Sequence, residues 1–325
     1  MFNYNCHDGQ QDFLVEYVEA TIGKGSVFPV SFMEKMKYVF VVNRNAGKGR
    51  VIKKWPALEA RVAELFDDYT VSYDLAPIAT DADVVVAVGG DGTVNYVVNY
   101  LMTSNRHAAL GVLPLGSGCD FARNFETEDA LAVLARGNTK AIDVGEIESA
   151  GNKMWFANVA DAGMGAEVTR QMANHSRNYL FSTLKALVGY KNVDVRLFAD
   201  GEEVYSGPLK CLVMANGKYF GDGMGIAPDA VLDDGLLQYV IIGNISRLMA
   251  AIKLQQTYKC TRIKHRHVYY GSARELRLEM SSALALEADG ELMVKMPAGE
   301  AVYVRAIHHA LNVVAGSKRL WTIPQ

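Results

Sequence analysis

No apolar run in this 325-residue chain is long enough to span a bilayer. The first ten residues are polar and hold no apolar signal core, so export is not expected. The formal net charge is −3, which offers no general attraction to nucleic acid. Cys6, Cys119, Cys211 and Cys260 stand far apart, and no two have metal-ligand or redox spacing. Free thiols in a reducing cytoplasm are the default. His265, His267 and the pair His308-His309 lack the remaining ligands of a zinc site and read as surface or packing features. Half of the residues are hydrophobic, which rules out disorder and suffices for one large domain or two ordinary ones.

What is present centres on residues 84 to 95. Val84-Val85-Val86-Ala87-Val88 is apolar without alternation, the pattern of a central parallel strand buried on both faces. Gly89, Gly90 and Gly92 then surround Asp91, followed by Thr93 and Asn95. Val94, Val97, Val98 and Leu101 recur at helical spacing. Strand, glycine turn and helix N-terminus together leave backbone N–H groups free for an anion, most often a phosphate. No Walker lysine follows, and the three spaced glycines of a dinucleotide site are missing.

Two further strand-turn units flank this one. Lys37 to Val42 forms a strand that ends in Asn43-Arg44-Asn45-Ala46-Gly47-Lys48-Gly49-Arg50, and a helix follows over 53–66. Tyr69 to Leu75 alternates as a strand, and only Ala76 to Asp83 separates it from Val84. Ala109 to Leu113 is another strand, and Pro114-Leu115-Gly116-Ser117-Gly118-Cys119-Asp120-Phe121-Ala122-Arg123-Asn124 is a second glycine turn feeding a helix. The rhythm implies a doubly wound α/β sheet with ligand loops along one edge. After Ala141-Ile142-Asp143-Val144-Gly145-Glu146 it gives way to glycines and short alternating strands. The domains are therefore expected to be 36–142, α/β, and 143–325, mainly antiparallel β, behind an extension at 1–35 of uncertain role. A helical stretch over 167–189 can pack on a sheet or touch an anionic membrane. The tail completes the second domain or folds back on the first.

The turn at Gly89 to Thr93 resembles the Gly-Gly-Asp-Gly-Thr nucleotide loop of the diacylglycerol kinase catalytic-domain superfamily, which includes bacterial lipid, sphingosine and ceramide kinases. NAD kinases and phosphofructokinases carry a related loop. Four more elements are similar and stand in the family's order. Asn43 to Gly47 resembles Asn-Pro-x-(Ser/Ala)-Gly, with Arg44 in place of the proline. Pro114 to Arg123 resembles Pro-x-Gly-Thr-x-Asn-Asp-Phe-Ala-Arg, with Ser117 for threonine and Cys119 for asparagine. Asn216 to Leu237 resembles the glycine-rich and Asp-Gly-Leu-Leu elements of bacterial lipid kinases, with Asp222 replacing one glycine. Asp289-Gly290-Glu291 resembles the superfamily's Asp-Gly-Glu, which ends a strand facing the nucleotide.

The resemblance implies a two-domain fold, an α/β nucleotide domain like that of NAD kinases and phosphofructokinases joined to a β-sandwich. Asn43, Gly89, Gly90, Asp91, Gly92, Thr93, Asn95, Gly116 and Ser117 would bind nucleotide. Asp91 would organise a catalytic Mg²⁺. Glu291 would accept the proton of the attacking alcohol with Asp289 in support, although either carboxylate can take the role. Asp143 is either catalytic or a hinge-turn residue. Asp120 either caps the following helix or faces the acceptor, with Arg123 beside it. Asp234 and the carbonyls of Val231 and Leu236 would hold a structural magnesium, since oxygen donors suit a hard cation.

The implied function is an ATP- and Mg²⁺-dependent lipid kinase that converts diacylglycerol to phosphatidic acid. A sphingoid base or ceramide is the alternative acceptor, and an NAD kinase or an inactive lipid or nucleotide sensor the alternative protein. The implied partner is a lipid at the bilayer surface, reached from the cytoplasm by peripheral attachment to the inner face. Nucleic acid is not expected, and a homodimer is compatible with the reading.

Overall fold

The structure, a computed structural model, describes residues 36–316 apart from 77, 79–80, 105–106, 126–128, 150, 175–188 and 293–295. The extension at 1–35 and the end of the tail lie outside the described residues, as does most of the stretch expected to pack or to touch a membrane.

Four parallel strands form the first half in the order β2-β1-β3-β4. They are β1 (Tyr38–Val42), β2 (Tyr69–Tyr73), β3 (Val84–Gly89) and β4 (Ala109–Pro114). Every residue of β1 and β3 is buried, which accounts for their unalternating apolar sequence. Helix α1 (Arg50–Leu65) packs Val51, Trp55 and Val62 on Phe40, Val86 and Val88. On the opposite face, helix α2 (Asp91–Thr103) packs Val94, Val97, Val98 and Leu101 on Val39, Val85 and Ala87. The sheet is thus covered on both sides, and the short helix α3 (Ala130–Arg136) completes the α1 face with Leu131 and Leu134.

The sequence pattern led to a helix straight after Asn124, and the structure differs there. Ala122–Asn124 makes a single 3₁₀ turn, and α3 begins only at Ala130, where Asp129 accepts from the Leu131 N–H as its cap. Phe121 and Asn124 are buried as anchors at this turn.

The second half is antiparallel. Strands β5 (Thr139–Ser149) and β6 (Asn152–Phe156) form a hairpin. Next come β7 (Val159–Gly163), helix α4 (Met164–Asn174), β8 (Val193–Ala199), β9 (Glu202–Leu209) and β10 (Cys211–Ala215). The two-residue strands β11 (Tyr219–Phe220) and β12 (Met224–Gly225) pair with each other. They lead to β13 (Leu237–Ile242), helix α5 (Arg247–Thr257), β14 (Val268–Ala273), β15 (Glu275–Met280), β16 (Leu286–Ala288), β17 (Glu291–Leu292) and β18 (Ala301–Val314). One six-stranded sheet runs β14-β13-β10-β7-β16-β17. Its apolar face, with Ala160, Leu212, Met214 and Leu286, shares a core with Leu197, Leu276, Leu278 and Val304 of the facing sheet. That is a β-sandwich.

The long strand β18 joins the halves. Its start pairs antiparallel with β15, its length with β5, and Val313 lies parallel to Leu110 of β4. Its register with β5 shifts between Ile307 and Leu311, where His309 has φ +50°.

Candidate active site

The two glycine loops touch backbone to backbone. Gly89 O accepts from the N–H groups of Leu115 and Gly116, both at 2.8 Å. A Cβ on Gly116 would stand 2.3 Å from Gly90 Cα, so the approach needs glycine there. Gly90 is the N-cap of α2, and its carbonyl accepts from Thr93 and Val94. That leaves the Asp91 and Gly92 amides without an intrahelical acceptor. The Thr93 hydroxyl accepts from Asn43 Nδ2 at 3.1 Å and sits over Gly89, tying the end of β1 to the end of β3. Arg50 Nη1 donates to Gly116 O at 2.8 Å.

Asp91 Oδ1 accepts from the Phe121 N–H at 3.0 Å. A Cβ on Gly118 would meet Asp91 Oδ2 at 3.2 Å and Asp120 Oδ2 at 3.4 Å, so two carboxylates converge on this glycine. Burial and the charge of Asp91 push the Asp120 carboxyl up to about 6. Asp120 does not cap the turn that follows, which has no side-chain cap. Its oxygens accept from the N–H groups of Gly223 at 2.7 Å and Asp222 at 2.9 Å, which clamps this loop to the β11–β12 turn. Arg123 Nε lies 3.3 Å from Asp120 Oδ1 and donates to Gly118 O.

Opposite these loops stands the β16–β17 turn. Asp289 is buried at φ +50°. One oxygen accepts from Asn158 N and Val159 N, the other from Ala157 N at 2.9 Å and Asn95 Nδ2 at 3.4 Å. Burial, against the pull of these donors, raises its carboxyl to about 7. Glu291 differs in kind. Among the described residues no hydrogen bond holds its carboxylate, and its Oε1 lies 2.6 Å from the place of a Cβ on Gly92. Partial desolvation raises its pKa. Asp289 is committed to the fold, and Glu291 is available.

A cleft of about 550 Å³ opens between Lys48, Asp91, Ser117 and Asp120 on one side and Asp161, Glu287 and Glu291 on the other. Asn95 is buried away from it, with Nδ2 donating to Trp155 O at 3.1 Å. Asp143 is also not among its walls. Fully buried, it accepts from Gly235 N at 2.6 Å and His309 N at 2.8 Å, with His308 Nδ1 2.8 Å away. The donor atoms of Asp143, His308 and His309 lie within 4.8 Å of one another. The histidine pair is therefore more than surface filler: the strand shift in β18 stacks both rings, centroids 3.7 Å apart, on the side of Asp143.

Three comparisons with known proteins bear on this arrangement. The diacylglycerol kinase catalytic domain matches residues 37–147, and the YegS C-terminal NAD kinase beta sandwich-like domain matches residues 158–315. A probable lipid kinase YegS-like of Chromohalobacter salexigens is 34% identical over 232 residues, 67% of this chain and 73% of that protein. The chain belongs to the diacylglycerol kinase family of lipid kinases. It is accordingly a phosphotransferase with an alcohol acceptor. A diacylglycerol kinase of Staphylococcus aureus is 29% identical over 74% of this chain and 77% of its own length. In fold, the chain is similar to a putative diacylglycerol kinase from Bacillus anthracis, with TM-score 0.70 and 18% identity over 87% of this chain and 98% of that one. It is also similar to an NAD kinase from Archaeoglobus fulgidus, with TM-score 0.51 and 14% identity over 87% and 95%.

The substitutions within the lipid-kinase elements differ in how they suit their places. Arg44 pairs with Asp74 and stands over the Tyr73 ring, fastening its loop to the end of β2. Cys119 has φ +52°, the region that asparagine enters more readily than most residues. Asp222 has φ +68°, where glycine is the unstrained choice. At the Asp234 turn, burial first and then the neighbouring Asp143 and Asp233 raise the Asp234 carboxyl. Its Oδ1 already accepts from Leu236 N, and the Leu232 carbonyl is taken by Asp143 N.

Sequence reasoning missed one pair. Asp161 of β7 and Glu287 of β16 are direct cross-strand partners, both buried, in the cleft wall. Burial raises both, Asp161 to about 6; the charge of Asp161 raises Glu287 further, while the hydrogen bond it receives from Glu287 holds Asp161 down. Thr169 donates to Glu287 at 3.0 Å and Ala166 N to Asp161 at 2.8 Å. No local pattern signalled the pair, since the two acids stand 126 positions apart and only the β7–β16 pairing joins them.

Proposed function

We propose that this protein transfers the γ-phosphoryl group of ATP to the hydroxyl of a membrane lipid, with diacylglycerol as acceptor and phosphatidic acid as product. The observation that carries the reading is the uncommitted Glu291 carboxylate lying against Gly92, beside Asp91 at the start of α2. An acceptor hydroxyl in the cleft there has a proton acceptor and a phosphate loop within one contact distance.

The amides at Asp91, Gly92 and the Gly116 loop bind the phosphates, and Lys48 adds positive charge from the cleft wall. Mg²⁺, held by Asp91, would supply neutralisation of charge on the phosphates. The acceptor oxygen forms its bond to the γ-phosphorus as the bond to the bridging oxygen breaks, and the electron pair leaves with ADP. Glu291 takes the hydroxyl proton late in that transfer, when the oxygen has become acidic. The cleft walls keep water from competing as acceptor. Asp234, with the carbonyls of Val231 and Leu236, would hold a second, structural magnesium. Peripheral attachment at the inner face of the membrane belongs to the same reading. Among the described residues no helix is long and apolar enough to cross a membrane.

A sphingoid base is the second acceptor, favoured by the Asp161–Glu287 pair, which presents negative charge to an amine beside the hydroxyl. The test is transfer of labelled γ-phosphate from ATP-Mg²⁺ to diacylglycerol, sphingosine, ceramide and NAD, with Asp91→Ala and Glu291→Ala alongside. Label in diacylglycerol, absent in both variants and after chelation, supports the proposal. Label in NAD alone overturns it.

A further inference from the structure

Charge is unevenly placed along the second half of the chain. From Gly235 to Arg274 there is no aspartate or glutamate, while Lys and Arg number seven, in a chain of net charge −3. Helix α5 lies in this stretch. Ser246 caps it by accepting from Met249 N. Its outer face is apolar where an isolated surface helix is polar: Leu248 is 73% exposed and Ile252, one turn on, 51%. Tyr258 at the C-cap is 52% exposed, and Tyr269 lies exposed on the adjoining β14. Arg247, Lys259, Lys264 and Arg266 are exposed around them. Arg262 pairs with Asp229, and Lys253 donates to Gln256.

The position of this face matters as much as its composition. Cys260, just past the C-cap, lies against Gly225 of β12, its Cα 2.6 Å from the place of a Cβ there, and burial first, then Asp222 and Asp120 of the cleft wall, raise the Tyr258 hydroxyl, so the C-terminal end of α5 reaches the cleft mouth. Beneath the helix, Ala250, Leu254 and Thr257 line a narrow apolar slot whose walls Gly165 and Phe220 also belong to the cleft.

We propose that α5 and the basic segment that follows it, residues 247–266, form the face with which this protein docks on an anionic phospholipid bilayer. Leu248 and Ile252 enter the boundary between head groups and acyl chains, and Lys259, Lys264 and Arg266 lie against the lipid phosphates. Docked in this way, the cleft mouth meets the membrane, and an acceptor hydroxyl reaches Glu291 without leaving its bilayer. A second copy of the chain is a poorer occupant, because two faces without a single acid would repel. The inference rests on the lipid-kinase reading for its purpose but not for its test.

The experiment is co-sedimentation of the full chain with phosphatidylcholine vesicles holding 0 or about 30 mol % phosphatidylserine, a level that gives a clearly negative surface. Leu248→Asp/Ile252→Asp is expected to weaken binding about 10-fold or more on anionic vesicles. Lys259→Glu/Lys264→Glu is expected to lose about 10- to 100-fold on anionic vesicles and little on neutral ones. Ile52→Asp/Leu65→Asp, on exposed apolar positions of α1, serves as control and binds like the parent. Both α5-face variants keep the parent's turnover of detergent-dispersed diacylglycerol and lose turnover of the same lipid in vesicles. Three results overturn the proposal. One is vesicle binding unchanged in both variants. Another is a dimer dissociated by Leu248→Asp/Ile252→Asp with vesicle binding intact. The third is RNA binding through the basic residues with no vesicle binding. Failure of every lipid to accept phosphate would sink the kinase reading, while the sedimentation result would still decide the face.

Discussion

The Glu291 carboxylate rests on the backbone of Gly92, at 2.6 Å from where a Cβ would stand. The first residues of α2 and the last turn before β17 are therefore parts of one surface. Gly92 has no positive φ, so alanine suits its backbone and acts only by pushing Glu291 aside. Gly92→Ala should lower kcat by about 10²-fold, the scale of a misplaced general base. Thermal unfolding should stay close to the parent. An unchanged kcat would remove Glu291 from the reaction.

Asp289 and Glu291 should separate in denaturation experiments. Asp289→Ala strands the N–H groups of Ala157, Asn158 and Val159, and should cost about 2–4 kcal/mol of stability from buried donors left unpaired. Glu291→Gln should change stability by less than about 0.5 kcal/mol, as surface substitutions usually do. It should still lower kcat strongly. Equal stability losses would contradict the division of labour between them.

The Asp161–Glu287 pair makes stability depend on pH with a definite sign. Asp161 ordinarily titrates near 3.8 and is raised to about 6 in the fold, with Glu287 raised as well. Between those values the folded protein holds a proton that the unfolded chain has released. Stability from this source is full below the unfolded value and is lost as pH rises through about 6. Glu287→Gln, which can still accept from Thr169, should raise the melting temperature by about 2–5 °C at pH 8 and by much less at pH 4. A gain of equal size at both pH values would refute the coupling.

Thr93 holds Asn43 in place through its hydroxyl. Thr93→Val keeps the shape and loses that acceptor. The β1 loop should loosen, and KM for ATP should rise about 10-fold, the worth of roughly one hydrogen bond to a positioned loop, with kcat little changed. Steady-state kinetics at saturating acceptor would reveal it, and an unchanged KM would show that Asn43 has no part in nucleotide binding.

Local patterns carried much of this protein. The Val84–Val88 run could be read as a doubly buried strand because a parallel strand between two helix layers has no polar face to alternate with. The turn at Gly89 to Thr93 was legible because close backbone approach leaves few residue types available. The 3₁₀ turn after Phe121 was not. A helix was expected straight after the glycine turn, and in its place Phe121 and Asn124 are anchored in the core.

Residue type and order along the chain determined the glycine loops, the two-domain plan and the membership of Asp91, Asp289 and Glu291 in one motif set. Tertiary structure alone decided how the carboxylates divide their work. Asp120 holds the β11–β12 turn, Asp289 three backbone amides, and Asp143 the register shift within β18, while no hydrogen bond from the described residues holds Glu291 at Gly92. The physical reason is that a carboxylate's role depends on how many donors reach its oxygens. Here those donors come from residues as much as 194 positions away in the chain.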